Sequence, residues 1–173
     1  MNANRYAQFF ALDGQVIPIR AGLKVNQTYE QLGGRQLFRA RTGKARLQSH
    51  WSKVKTVLSG SGWHVMPFAG IDQTAVHTLD CVTARALQGH LPLFTLPAIR
   101  QDIPPRGFAV VGGELVPTHA VLAGTVLTLN PVANADSYVC WYWPRLTGYL
   151  TAVSDQGDPR SLNYTWSLTL EEA

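Results

Sequence analysis

Charge is scarce in this sequence: 15% of its 173 residues are Asp, Glu, Lys or Arg, against about 25% in an ordinary soluble domain. A lone domain relies on surface charge for solubility, so the shortage points to a surface partly covered by other chains. Cysteine is nearly absent. Cys81 and Cys140 stand far apart, with no second cysteine near either, which excludes a CxxC redox pair or a cysteine zinc site and leaves two buried thiols as the expectation. No run of about 18 apolar residues occurs, and MNANRYAQFF lacks the basic region and apolar stretch of a secretion signal. A chain made in the cytoplasm with no membrane segment is therefore expected. Helical periodicity is missing as well, because nowhere do apolar residues keep the i, i+3, i+4, i+7 spacing over three turns.

The usual catalytic arrangements are also lacking. No two of the five histidines fall within ten residues of each other, and the adjacent acids Glu171 and Glu172 sit at the terminus. Neither pattern suits a metal site or an acid–base pair. The stretch KVKTVLSGSGW, residues 53–63, has the glycines of a phosphate loop. It lacks the Lys-Ser/Thr that grips the phosphates, and Val65 and Pro67 follow where a helix should run. Ser59 and Ser61 lack the G-x-S-x-G elbow of a hydrolase nucleophile. The residues predict no catalytic group, cofactor or metal, and Ser59–Gly62 reads as a tight corner with Trp63 packed just beyond it.

What is present is β-pattern. SLNYTWSLTLEE alternates Leu162, Tyr164, Trp166, Leu168 and Leu170 with polar residues, the period of a half-buried strand. GFAVVGGELVP, 107–117, predicts a hairpin turning at Gly112-Gly113. TVLTLN precedes a turn at 131–136, and SYVCWYWPRLTGYLTAV follows, a strand interrupted at Pro144; DQGDP, 155–159, reads as loop. The first half repeats the theme: RYAQFFA, a turn at Asp13-Gly14, QVIPIR, polar NQTYEQLGG, QLFRAR, a turn at Thr42-Gly43, then KARLQSHW and KVKTVL. Short strands separated by turn signals predict a mainly β chain, an antiparallel sandwich or barrel in a single domain over 1–173. At most one or two short helices are expected, near 84–88 or within 26–32.

Basic residues concentrate in one place. Arg35, Arg39, Arg41, Lys44, Arg46, Lys53 and Lys55 are seven of the 15 basic residues that, against 11 acidic ones, give a formal net charge of +4. Such a cluster guards an open strand edge or meets a partner surface, and specific nucleic-acid recognition ranks well below both. In the aromatic strand, alternation sends Tyr138, Cys140 and Tyr142 to one face and Val139, Trp141 and Trp143 to the other. One set fills a core while the other, with Arg145, suits a subunit interface, another partner protein or, last, a small ligand such as a sugar.

Four phrases in order, FFALDGQVIPI, YEQLGGRQLFRARTGKARLQSHWSKVKTVLSGSGW, VHTLDCVTARAL and YVCWYWPRLTGYL…YTWSLTLEE, resemble structural proteins of the tail-tube end and baseplate of tailed bacteriophages. Those proteins open with a strand–DG–strand hairpin, here Leu12-Asp13-Gly14-Gln15-Val16-Ile17-Pro18. The resemblance implies a tail-tube-like β-sandwich or barrel and a non-enzymatic virion protein that forms a homo-oligomeric ring. Its implied neighbours are tail-tube and baseplate proteins, with genomic DNA close by in a tube lumen. Trp63, Trp141, Trp143, Arg145, Arg39, Arg41, Lys53 and Lys55 become candidate subunit-interface residues, and residues 26–34 and 155–160 candidate loops reaching adjacent rings. The alternative is a β-sandwich module binding carbohydrate or a host surface, with Trp141, Trp143 or Trp63 as the stacking platform.

Overall fold

The structure, a computed structural model, describes residues 9–18 and 21–173. The start of the expected RYAQFFA strand and the end of QVIPIR lie outside those residues. Fourteen strands and no helix occur among the described residues: β1 Ala11–Leu12, β2 Gln15–Val16, β3 Lys24–Arg39, β4 Ala45–Gly62, β5 Val76–Asp80, β6 Arg85–Gly89, β7 Leu93–Thr95, β8 Arg106–Val111, β9 Glu114–Thr118, β10 Ala120–Ala123, β11 Val126–Leu129, β12 Ser137–Tyr142, β13 Arg145–Asp158 and β14 Asn163–Glu172. All described pairings are antiparallel, so the chain is mainly β, as its pattern predicts. Neither candidate helix forms: 84–88 falls largely on β6 and 26–32 lies inside β3. The strands divide into two compact units, one of Met1–Ile17 and Thr78–Leu146, the other of Pro18–His77 and Thr147–Ala173.

The first unit is a small sandwich. A four-stranded sheet, β6-β12-β8-β9, and a three-stranded sheet, β10-β11-β7, close on one core containing Phe94, Leu96, Leu127 and Leu129 from one side and Ala109, Tyr138, Cys140 and Tyr142 from the other. The period-two reading of β12 places those last three residues correctly. β8 and β9 join through Gly112 and Gly113, at φ 58° and 87°, the left-handed pair that a two-residue turn needs to match strand twist. The same logic holds at Asp13-Gly14, where Asp13 Oδ1 accepts the Thr78 amide at 2.8 Å. Pro144 ends β12 as expected. The break is tied down by Cys81 N donating to Pro144 O (3.0 Å) and Arg145 N to Ala98 O (2.9 Å). Arg100, 2% exposed, donates to the carbonyls of Phe9 and Cys81 at 2.8 Å and forks onto Asp102, which satisfies a guanidinium that burial would otherwise penalise heavily.

The second unit is one sheet in the order β13-β14-β4-β3. Register puts Gln27, Thr56, Leu58, Gly60, Trp166, Leu168 and Leu170 on a single face, and of these seven all but half-buried Gly60 are buried. Two expectations fail here. Residues 155–158 are not loop but the outer end of β13, each paired with β14 from Trp166 back to Asn163. The pairing overrides weak strand propensity, and Gly157 leaves room for the Tyr164 ring laid against it. Residues 26–34 likewise pair along β4 and form no reaching loop.

Ser59–Gly62 is also strand, not corner. Gly60 lies between Val25 of β3 and Trp166 of β14 in the middle of the sheet. A Cβ there would collide with Lys24 O and with the indole, whose Cε2 would be 2.8 Å away. The glycine therefore serves close packing of Trp166 and not a turn. Trp166 in turn donates from Nε1 to Ala21 O (3.0 Å) and meets Phe68 edge-on at 6.0 Å.

Candidate interaction surfaces

β14 flanks β4 only from Lys55 to Gly62. Toward the Thr42-Gly43 turn, β4 pairs with β3 alone, so residues 33–52 form a two-stranded finger. At about 3.3 Å per residue it extends about 25 Å past the three-stranded region. Both faces are open. Leu37 and Leu47 sit opposite each other on one face, and Phe38 sits opposite Arg46 on the other; all three apolar side chains are exposed, Leu47 at 62%. Trp51, 52% exposed, lies over Gly34 near a shift in register. Sequence reasoning passed over these four residues. Their signal is an apolar pattern that favours neither face, which is what a strand without a buried side shows.

The basic cluster separates into two groups. Lys53 and Lys55 are half-buried and engaged at the base of the finger. Lys53 donates to the Ala173 carbonyl, and Lys55 pairs with Glu171 at 3.4 Å. Beside them, Glu172 Oε2 accepts the Val54 amide at 3.0 Å. Arg35, Arg39, Arg41, Lys44 and Arg46 belong to the finger; Arg41 and Lys44 flank its turn, and Arg39 donates to Gly43 O at 3.3 Å. β3 is the edge strand of its sheet, yet these five cations lie beyond the sheet they were expected to guard.

The other end of the same sheet exposes a second apolar group. Lys24 pairs with Ser61, and Tyr164 with Gly62, so Leu23, Trp63 and Leu162 fall together where β3 begins, β4 ends and β14 begins. All three are exposed, Trp63 at 61%. Trp63 is thus an open aromatic and not a packed anchor. Leu162 leaves the alternating face of its strand for the turn, at φ 50°. Between β13 and β14 nearby runs a shallow groove of about 270 Å³, with Asp155, Gln156 and Tyr164 in its wall.

In the first unit the remaining candidates are largely used internally. Trp143 is buried, its Nε1 donating to Val82 O at 3.0 Å and its ring lying 5.6 Å beneath the Arg106 guanidinium. Trp141 is half-buried against Phe108, with ring centroids 4.5 Å apart. Arg145 forks onto Asp80 at 2.6 and 2.8 Å, and those hydrogen bonds push the guanidinium pKa further up. Trp143 is therefore spent on packing within its own unit, whereas the Arg145 side chain, held by Asp80, remains 38% exposed. Burial pushes the Cys140 thiol up, and both cysteines are buried and outside any disulfide. Among the described residues no cluster of His, Cys, Asp and Glu is arranged to hold a metal ion. Ser59 and Ser61 lie within β4, flanked by β3 and β14.

Compared with known proteins, the chain matches no family model, no curated protein and no solved structure.

Proposed function

We propose that this protein is a non-enzymatic structural subunit of a bacteriophage tail, forming a ring at the tube end or baseplate that connects the tube to distal components. The observation that supports it is the pair of unlike apolar ends on one sheet, Leu37, Phe38, Leu47 and Trp51 at the finger and Leu23, Trp63 and Leu162 opposite. Exposed large apolar groups at both ends suit a head-to-tail contact between copies, and such a contact closes into a ring when its rotation permits. The tail setting rests on the resemblance of the four sequence phrases. Tail-tube and baseplate proteins are its partners on this reading, and the virion tail its location.

Light scattering and negative-stain microscopy of the purified protein test the reading. Rings or stacked oligomers are expected, and Trp63→Glu is expected to reduce them to smaller species. A stable monomer at high concentration that joins no particle would sink it. The carbohydrate-binding alternative loses Trp143, which is buried, and most of the Trp141 face, leaving Trp63 as its open platform.

A further inference from the structure

The finger carries more positive charge than the whole chain. Its five cations, Arg35, Arg39, Arg41, Lys44 and Arg46, exceed the net +4, and fifteen basic residues less those five leaves ten against eleven acids. No Asp or Glu occurs anywhere in residues 31–71. At the base of the finger Glu171 is already paired with Lys55 and Glu172 accepts the Val54 amide, and the rest of the chain is close to neutral. The finger therefore supplies no counter-charge of its own, and an anionic partner is the complement that its five cations fit.

The shape narrows the choice. A protruding two-stranded ribbon is an element that the major groove of a duplex admits, about 12 Å wide. The finger has cations on both faces and at its turn, a distribution that suits phosphates on both groove walls. Arg35 and Arg39 share the Leu37 face, Arg46 shares the Phe38 face, and Arg41 and Lys44 flank the turn. Gln36 and Gln48, directly paired, add amides able to donate or accept. We infer that the β3–β4 finger is a sequence-independent contact for double-stranded nucleic acid, its five cations neutralising backbone phosphates. The inference does not depend on the tail assignment, since it follows from the finger alone.

Fluorescence anisotropy with a labelled mixed-sequence DNA duplex of about 20 base pairs, titrated at several salt concentrations, tests it. Five phosphate contacts predict a slope of log K against log salt of about −4.5, or about 500-fold weaker binding at 200 mM than at 50 mM salt. Arg39→Gln/Arg41→Gln/Arg46→Gln should flatten the slope to about −1.8, about 12-fold over the same range. Lys24→Gln/Arg160→Gln, at exposed positions off the finger, should leave it unchanged, with circular dichroism confirming that both variants fold. No binding by the wild type at 50 mM salt would overturn the inference, as would equal slopes for the triple variant and wild type. Displacement of the duplex by poly-glutamate at equal charge concentration would identify an acidic protein surface instead and also overturn it. Loss of oligomers with duplex binding intact would count against the ring reading alone.

Discussion

Gly60→Ala puts the reading of Ser59–Gly62 to a quantitative test. In an open corner without a left-handed residue, this change would stabilise the protein by about 0.4–1 kcal/mol, because alanine restricts the unfolded chain. Gly60 is not among the left-handed glycines, so strain does not enter. In mid-sheet the new Cβ meets Lys24 O and the Trp166 indole, which is 3% exposed and has little room to withdraw. Forced overpacking costs about 1–3 kcal/mol. If the ring moves enough to lose Nε1–H···O=C to Ala21 (3.0 Å), a buried donor without a partner adds about 1–3 kcal/mol. The expected loss is about 2–4 kcal/mol, a fall in Tm of about 5–15 °C for a chain of this size. Thermal and urea unfolding followed by tryptophan fluorescence measure it. Repeating the substitution on Trp166→Phe removes the colliding ring atoms and should recover at least about 1 kcal/mol as coupling. A neutral or stabilising Gly60→Ala, or no coupling to Trp166, would refute the close-packing argument.

Other consequences are checked more simply. Arg145→Ala leaves Asp80, only 10% exposed, without its forked cation and should destabilise by about 1–3 kcal/mol in urea while leaving oligomer size unchanged by light scattering; Arg145→Lys should restore only part, as one ammonium cannot reproduce the fork. The Arg100 hydrogen bonds hold the Asp102 pKa below its usual value. A group depressed in the folded state contributes its stability above the unfolded pKa, about 3.9, and loses it as pH falls through the folded value. Urea midpoints should therefore be level from pH 7 to 5 and drop below about pH 4, with a smaller drop in Asp102→Asn. Cys81 and Cys140 should resist a thiol reagent in the native protein and both react in denaturant; fast native labelling of Cys140 would contradict its burial.

Turn chemistry and period-two strands were legible in the sequence. Gly112-Gly113, Asp13-Gly14 and the Thr42-Gly43 turn, the break at Pro144, and the buried set Tyr138, Cys140 and Tyr142 all follow from local rules that act over two to six residues. The glycines of 59–62 and the Asp-Gln-Gly-Asp of 155–158 were misread for one reason. Their composition suggests a turn, and only a partner strand reveals that glycine is there to make room, for Trp166 in one case and Tyr164 in the other. The candidate surface was half legible. Trp63, Arg39 and Arg41 are open, whereas Trp143, Arg145, Lys53 and Lys55 are held by Val82, Asp80, Ala173 and Glu171.

By itself, then, the sequence determined that this chain is built of antiparallel strands, where most of them turn, and that its basic residues concentrate between positions 35 and 55. Those are properties of neighbours along the chain. Tertiary structure alone decided which of those groups remain open. β14 stops accompanying β4 at Lys55, which turns a guarded strand edge into a free finger, and contacts as distant in sequence as Trp166 with Ala21 decide which aromatics are spent on packing. Exposure depends on which distant strand covers a residue, and nothing in a local pattern records that.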